Sequence, residues 1–190
     1  MNIIKRLIVI ALLSLSIFFN TKIDSYALEP QEGFVKFINE EVDNYELSTT
    51  EYNINGHNGM KSYMSYKAIT DTNSKQYQLQ QSAETDNEGF RKVSDRYCVA
   101  IGTAFNVEVG QYFQVELQNG TVINCIVADV KANKDTDKTN TFSKYGCCLE
   151  FIVDTKELNG TIKVMGDCST LCDEWDSPCV KYTIYDDLIK

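Results

Sequence analysis

Two carboxylates stand where strand-like runs of apolar residues can hold them rigidly. Asp129 closes the segment that begins at Gly110 and runs Tyr112-Phe-Gln-Val-Glu-Leu117, then Asn119-Gly120, then Thr121-Val-Ile-Asn-Cys-Ile-Val-Ala128. An alternating run, an Asn-Gly turn and a mostly apolar return describe a tight hairpin ending in an acid. A carboxylate at the tip of a buried strand is fixed and partly desolvated; both conditions raise its pKa and make it a candidate proton donor. Glu150 lies between Leu149 and Phe151 in the run Cys148 to Asp154. Alternation puts Leu149, Phe151 and Val153 on one face and Cys148, Glu150 and Ile152 on the other, so Glu150 is expected to be only part-exposed. The plainer alternative has Asp129 capping a turn and Glu150 facing solvent.

Other constellations offer less. Asp129, Asn133, Asp135 and Asp137 cluster four oxygen ligands of the kind calcium prefers, but Lys138 and Lys144 stand where a calcium loop requires glycine and glutamate. A solvated polar loop is the expectation there. Cys168-Ser-Thr-Leu-Cys172 with Cys179 has a loose zinc-like spacing without histidine in the tail, so no metal is expected. His57, the single histidine, sits in Asn55-Gly-His-Asn-Gly59 ahead of every cysteine, which argues against a thiolate–histidine pair. No phosphate-type glycine loop is present, and no cofactor is expected.

The elements that must position these groups are mostly strands. Tyr63–Ile69, Tyr97–Ile101, Tyr112–Leu117, Thr121–Ala128, Cys148–Asp154 and, after a second Asn159-Gly160 turn, Thr161–Met165 are predicted strands. Ser74–Ala83 reads as a short helix capped by Ser74. Short strands with regular turns and one mid-domain helix suggest a mainly β chain folded as a small closed barrel over 61–166. Apolar residues at 34, 35, 38, 42 and 45 predict an N-terminal helical extension, followed by a polar linker at 48–60. Residues 167–190 form a Cys-rich tail.

The amino terminus carries Lys5-Arg6, an apolar run from Leu7 to Phe19 broken only by Ser14 and Ser16, and Ser25-Tyr26-Ala27. That layout predicts a secretory signal peptide over 1–27, cleaved after Ala27; the run is short of the ~20 residues that span hydrocarbon. The expected product is secreted, with no stable membrane insertion after cleavage. Seven cysteines in an exported chain suggest disulfides, with one thiol left over and the connectivity open. The formal net charge of −9 excludes a basic nucleic-acid footprint and opposes anionic lipid headgroups, but not a neutral glycan.

Val99-Ala100-Ile101, Val109-Gly110, Ala128-Asp129 and Leu149-Glu150-Phe151 together resemble the six-stranded double-psi β-barrel of the three-aspartate ("3D") domain. That domain occurs in lytic transglycosylases and in resuscitation-type muralytic proteins. The likeness covers roughly residues 97–154. It departs from the pattern at the first aspartate position, which holds Gly102, at Val130-Lys131-Ala132 in place of glycines, and at Glu150 in place of the third aspartate.

The resemblance implies a secreted protein acting on the glycan strands of peptidoglycan, between N-acetylmuramic acid and N-acetylglucosamine. An acid protonates the glycosidic oxygen and the sugar's own C6 hydroxyl closes an anhydro ring, so one well-placed acid suffices where ordinary glycosidases need two. By position Glu150 is the implied proton donor and Asp129 its neighbour; Lys131 and Tyr97 are candidates for holding substrate. The alternative implied by the same barrel is a non-catalytic module that binds cell-wall glycan without cutting it.

Overall fold

Apolar and β-branched residues dominate four central segments, and such side chains pack well on a pleated surface. In the computed structural model, which describes residues 48–188, these segments are β5 (Arg96–Ile101), β6 (Gln111–Leu117), β7 (Val122–Val130) and β8 (Leu149–Val153). Around them lie β1 (Thr49–Asn53), β2 (Lys61–Ser65), β3 (Glu84–Thr85), β4 (Arg91–Val93) and β9 (Cys179–Leu188). The helices are α1 (Lys75–Ser82) and α2 (Gly160–Met165). The described chain is therefore mainly β. The expected signal peptide and the 30–47 helix lie outside the described residues.

All nine strands belong to one mixed sheet, ordered β1-β9-β6-β7-β5-β4-β3, with β8 also paired to β5 and β2 to β8. The β5·β7 and β2·β8 pairs are parallel. Asn119-Gly120 turns the β6–β7 hairpin as its sequence demands, with Gly120 at φ 86°. The expected six-stranded closed barrel is corrected on two counts: there are nine strands among the described residues, and their sheet is not closed. β1 comes from the segment expected as a linker. β9 comes from the expected tail, and it pairs with β1 on one side and β6 on the other. A third correction concerns Thr161–Met165, which is helical. The Asn159 side chain accepts from the Thr161 amide and Gly166 closes the helix in the left-handed conformation, so Asn159-Gly160 serves as a helix start and not as a hairpin turn.

Buried residues pack against the sheet in two clusters, the larger of them defining its inner face. Tyr182 of β9, fully buried, donates its hydroxyl to the Cys148 carbonyl beside β8 at 2.6 Å. On the inner face lie Val99, Ile101, Phe113, Val127, Phe151 and Trp175. Lys61 of β2 is also fully buried, and its Nζ donates to the Trp175 and Ser177 carbonyls, both at 2.9 Å, and to Ser169 Oγ at 3.1 Å. A buried ammonium is costly unless its hydrogens are all used; here they pin the 168–177 turns onto β2. The outer face of β5, β7 and β8 presents Cys98, Ile126, Ala128 and Ile152, with Leu79 of α1 and Tyr66 packed against them. Ser74 caps α1 by accepting from the Tyr77 amide.

Candidate functional site

β5 runs between β7 and β8, and Ala100 is the register partner of Asp129 on β7 and of Glu150 on β8. Cross-strand partners project to the same side of a sheet. The two acids thus flank Ala100 on the outer face. Glu150 gets there by alternation, alongside Ile152 and opposite Leu149, Phe151 and Val153. Asp129 gets there by a bulge. The parallel register steps from Val99↔Val127 to Ala100↔Asp129, leaving Ala128 extra. Unbroken alternation from Val127 would put Ala128 outward and Asp129 inward; the bulge turns Asp129 outward, and bulges commonly re-aim a side chain in this way.

Three further side chains hold the acids. Gln76 of α1 donates to Asp129 Oδ1 at 3.3 Å. Lys131 Nζ donates to Glu150 Oε2 at 2.6 Å, an ion pair whose side chains are only 13% and 17% exposed. Ser62 of β2, the register partner of Glu150, donates to Glu150 Oε1 at 3.4 Å. The Lys131 backbone is itself fixed, because its amide donates to the Ile101 carbonyl at 2.9 Å. Burial pushes the Asp129 carboxyl above its ordinary value and the nearby Glu150 charge adds to this, against the opposing effects of Gln76 and Lys131. One acid is thereby biased toward its protonated form while the other is engaged as a carboxylate by an ammonium. That division suits a proton donor beside a fixed negative charge.

The structure thus brings together Asp129, Glu150 and Lys131. Tyr97 stands apart. It faces the inner core, edge-on to Phe90, Phe151 and Trp175 at 5.2–5.8 Å between ring centroids, with Lys92 Nζ 4.6 Å over its ring. Gln76 and Ser62 were not legible as site residues; a glutamine in the first turn of a helix and a serine in a short strand carry no signal of their own.

The loop from 131 to 146 borders the site and is tied to itself. Asp137 Oδ1 accepts from the Thr141 and Phe142 amides at 2.8 and 3.1 Å. Asn133 Oδ1 accepts from Thr103 Oγ1 at 2.7 Å. With Asp129 turned toward Gln76, three of the four residues of the calcium-like spacing are engaged separately, and no cluster of three metal-ligating acidic, Cys or His side chains forms among the described residues. Gly102 meets this loop closely: a Cβ there would lie 2.0 Å from the Asn140 carbonyl oxygen. The position that carries an aspartate in the three-aspartate pattern has no room here for any side chain.

All seven cysteines are free thiols in the structure, and Cys148 and Cys179 lie side by side. Burial raises the Cys98 thiol to about 11 and drives Cys125 and Cys168 higher still. An attacking thiolate needs the opposite shift. His57 spends Nε2 on the Cys179 carbonyl at 2.7 Å and accepts from the Gly59 amide at Nδ1. No helix among the described residues is long and apolar enough to cross a membrane. Compared with protein-family models and with curated proteins, the sequence matches none.

Proposed function

We propose that the protein is a secreted cell-wall protein that cleaves the glycan strand of peptidoglycan by acid catalysis, as a lytic transglycosylase does, with Asp129 as the proton donor. The observation that carries this reading is the raised carboxyl of Asp129, set across Ala100 from an ion-paired Glu150. The roles implied by the three-aspartate resemblance are exchanged: Glu150, clasped by Lys131, is the stabilising charge, and Asp129 is the acid.

In the proposed step the Asp129 carboxyl gives its proton to the glycosidic oxygen as the C1–O bond breaks. Positive charge develops at C1, and the Glu150 carboxylate stabilises it from a fixed position. The C6 hydroxyl of the same sugar then bonds to C1, and its proton returns to the Asp129 carboxylate. The acid is regenerated and no water is consumed. Lys131 clasps Glu150 and holds it in place.

A second reading has an observation of its own. The Lys131–Glu150 pair is closed, and Gly102 removes one acid of the family pattern, which suits a module that holds glycan without cutting it. One assay separates the two: release of anhydro-muropeptides from purified peptidoglycan, scored together with retention of the protein on it. The enzyme reading expects release that is lost in Asp129→Asn with retention intact. Retention without products supports the module. Neither retention nor release sinks both.

A further inference from the structure

The outer face holds a second feature that the acids do not use. Between the turn after β2 and α1 lies a cavity of about 370 Å³, at the small end of the range for ligand sites. Its walls carry two tyrosines, Tyr66 and Tyr77, two carboxamides, Gln80 and Gln81, and two threonines, Thr70 and Thr72. Lys67 is the only charged residue lining it.

Gln80 is the unusual member. It is 3% exposed, and its Oε1 accepts from Arg91 Nε at 3.2 Å. Its amide nitrogen has no hydrogen-bond partner; only the weak Cys98 thiol lies beside it. Buried amide nitrogens are seldom left so. That nitrogen is buried on the Cys98 side and is closed to anything held in the cavity.

The chemistry of the walls selects the class of ligand. Hydroxyls and carboxamides both donate and accept, which matches a ligand rich in hydroxyl and acetamido groups. Tyrosine rings offer flat apolar faces for the C–H side of a sugar ring and a polar edge for its hydroxyls. No carboxylate lines the cavity and Lys67 repels cations, so a cationic ligand is excluded, and the neutral hydroxyls and carboxamides that make up most of the wall match an uncharged polar one.

The cavity is also placed to serve the acids. Gln76, which holds Asp129, precedes Gln80 by about one helical turn, an axial rise of ~6 Å. Ser62, which touches Glu150, precedes Tyr66 by four residues of extended chain, a run of ~13 Å. We propose that this cavity binds an uncharged N-acetylated sugar unit of the glycan, one or two rings along the strand from the bond beside Asp129. It rests on the glycan reading above and names a subsite for it.

The probe is chitotetraose, a neutral N-acetylglucosamine oligomer, titrated calorimetrically into the protein. Binding is expected, weakened about tenfold or more by Tyr77→Ala. Tyr77 is partly exposed, so its truncation spares the core; Thr72→Val, at an exposed position, is the second variant and is expected to weaken binding in the same direction. Absence of chitotetraose binding, or binding indifferent to both variants, overturns the subsite. The reading of the acids fails separately. Chitotetraose bound through Tyr77 with no anhydro-muropeptide released from peptidoglycan keeps the subsite and sinks the enzyme; release at an unaltered kcat/KM in Tyr77→Ala and Thr72→Val keeps the enzyme and sinks the subsite.

Discussion

The two faces of β5, β7 and β8 are written in alternate residues of the same strands, yet they differ in kind. On the inner face Phe151 stacks on Trp175 with centroids 5.1 Å apart, Phe90 meets both edge-on, and Val99 and Val127 fill between them. On the outer face Cys98, Ala100, Ala128 and Ile152 are smaller, and the eight-residue helix α1 is part of their cover. Bulky rings pack the inner face. Small residues under a short helix leave a border where Asp129, Glu150, Lys131, Gln76 and Ser62 meet. The inner face carries stability and the outer face carries chemistry.

Phe151→Ala attacks the inner face most directly. It removes a fully buried ring from three aromatic contacts and should cost about 3–5 kcal/mol in urea unfolding, with the midpoint falling at an unchanged slope. A smaller loss would mean that the inner face collapses around the gap. Gly102→Ala tests where the faces join. A methyl 2.0 Å from a backbone carbonyl forces the 131–146 loop to move, at about 2–3 kcal/mol, and any aspartate at this position should be worse.

Glu150→Gln should cost less, about 2 kcal/mol, by leaving Lys131 part-buried without its anion. A double-mutant cycle with Lys131→Met sharpens the comparison: the pair should lose less together than the sum of the single losses. Additive losses would mean that the ion pair does not hold the outer face. The smallest effect belongs to Asp129→Asn and depends on pH. The folded-state carboxyl titrates above its ordinary 3.8, so its ionised form is disfavoured in the fold. Below the unfolded value wild type and variant should be equally stable. As pH rises through the raised folded value, wild type should fall behind Asp129→Asn and stay behind at neutral pH. A wild type that gains on the variant with rising pH would reverse the sign of the argument for burial.

The strands of the centre were readable because their signal is local. Tyr112 to Leu117 alternates, Asn119-Gly120 turns, and Leu149 to Val153 assigns Glu150 its face without any neighbour being known. The Ser74 cap likewise announced α1. What escaped depends on partners distant in sequence. β9 carries charged and polar residues among its apolar ones and begins beside Pro178, and it is a strand because β1 and β6 flank it. Asn159-Gly160 has the same composition as a hairpin turn, and the Asn159 cap with a glycine stop at 166 decides for a helix. Within the site, the candidates Asp129, Glu150 and Lys131 were legible, but their arrangement was not. The bulge at Ala128 exists only in the pairing with β5, and the grip of Lys131 on Glu150 spans nineteen residues. Tyr97 illustrates the converse: an aromatic residue beside a candidate site is most often core, and this one is.

The central claim is that burial keeps the Asp129 carboxyl ready to give a proton, and its own titration tests that most directly. Carbon-detected NMR of the aspartate side chains, followed across pH with Asp129→Asn as the assignment control, reads the carboxyl itself. The account predicts a midpoint above the ordinary 3.8. A midpoint at or below that value would leave Asp129 an ordinary carboxylate, and the proposed acid would be lost.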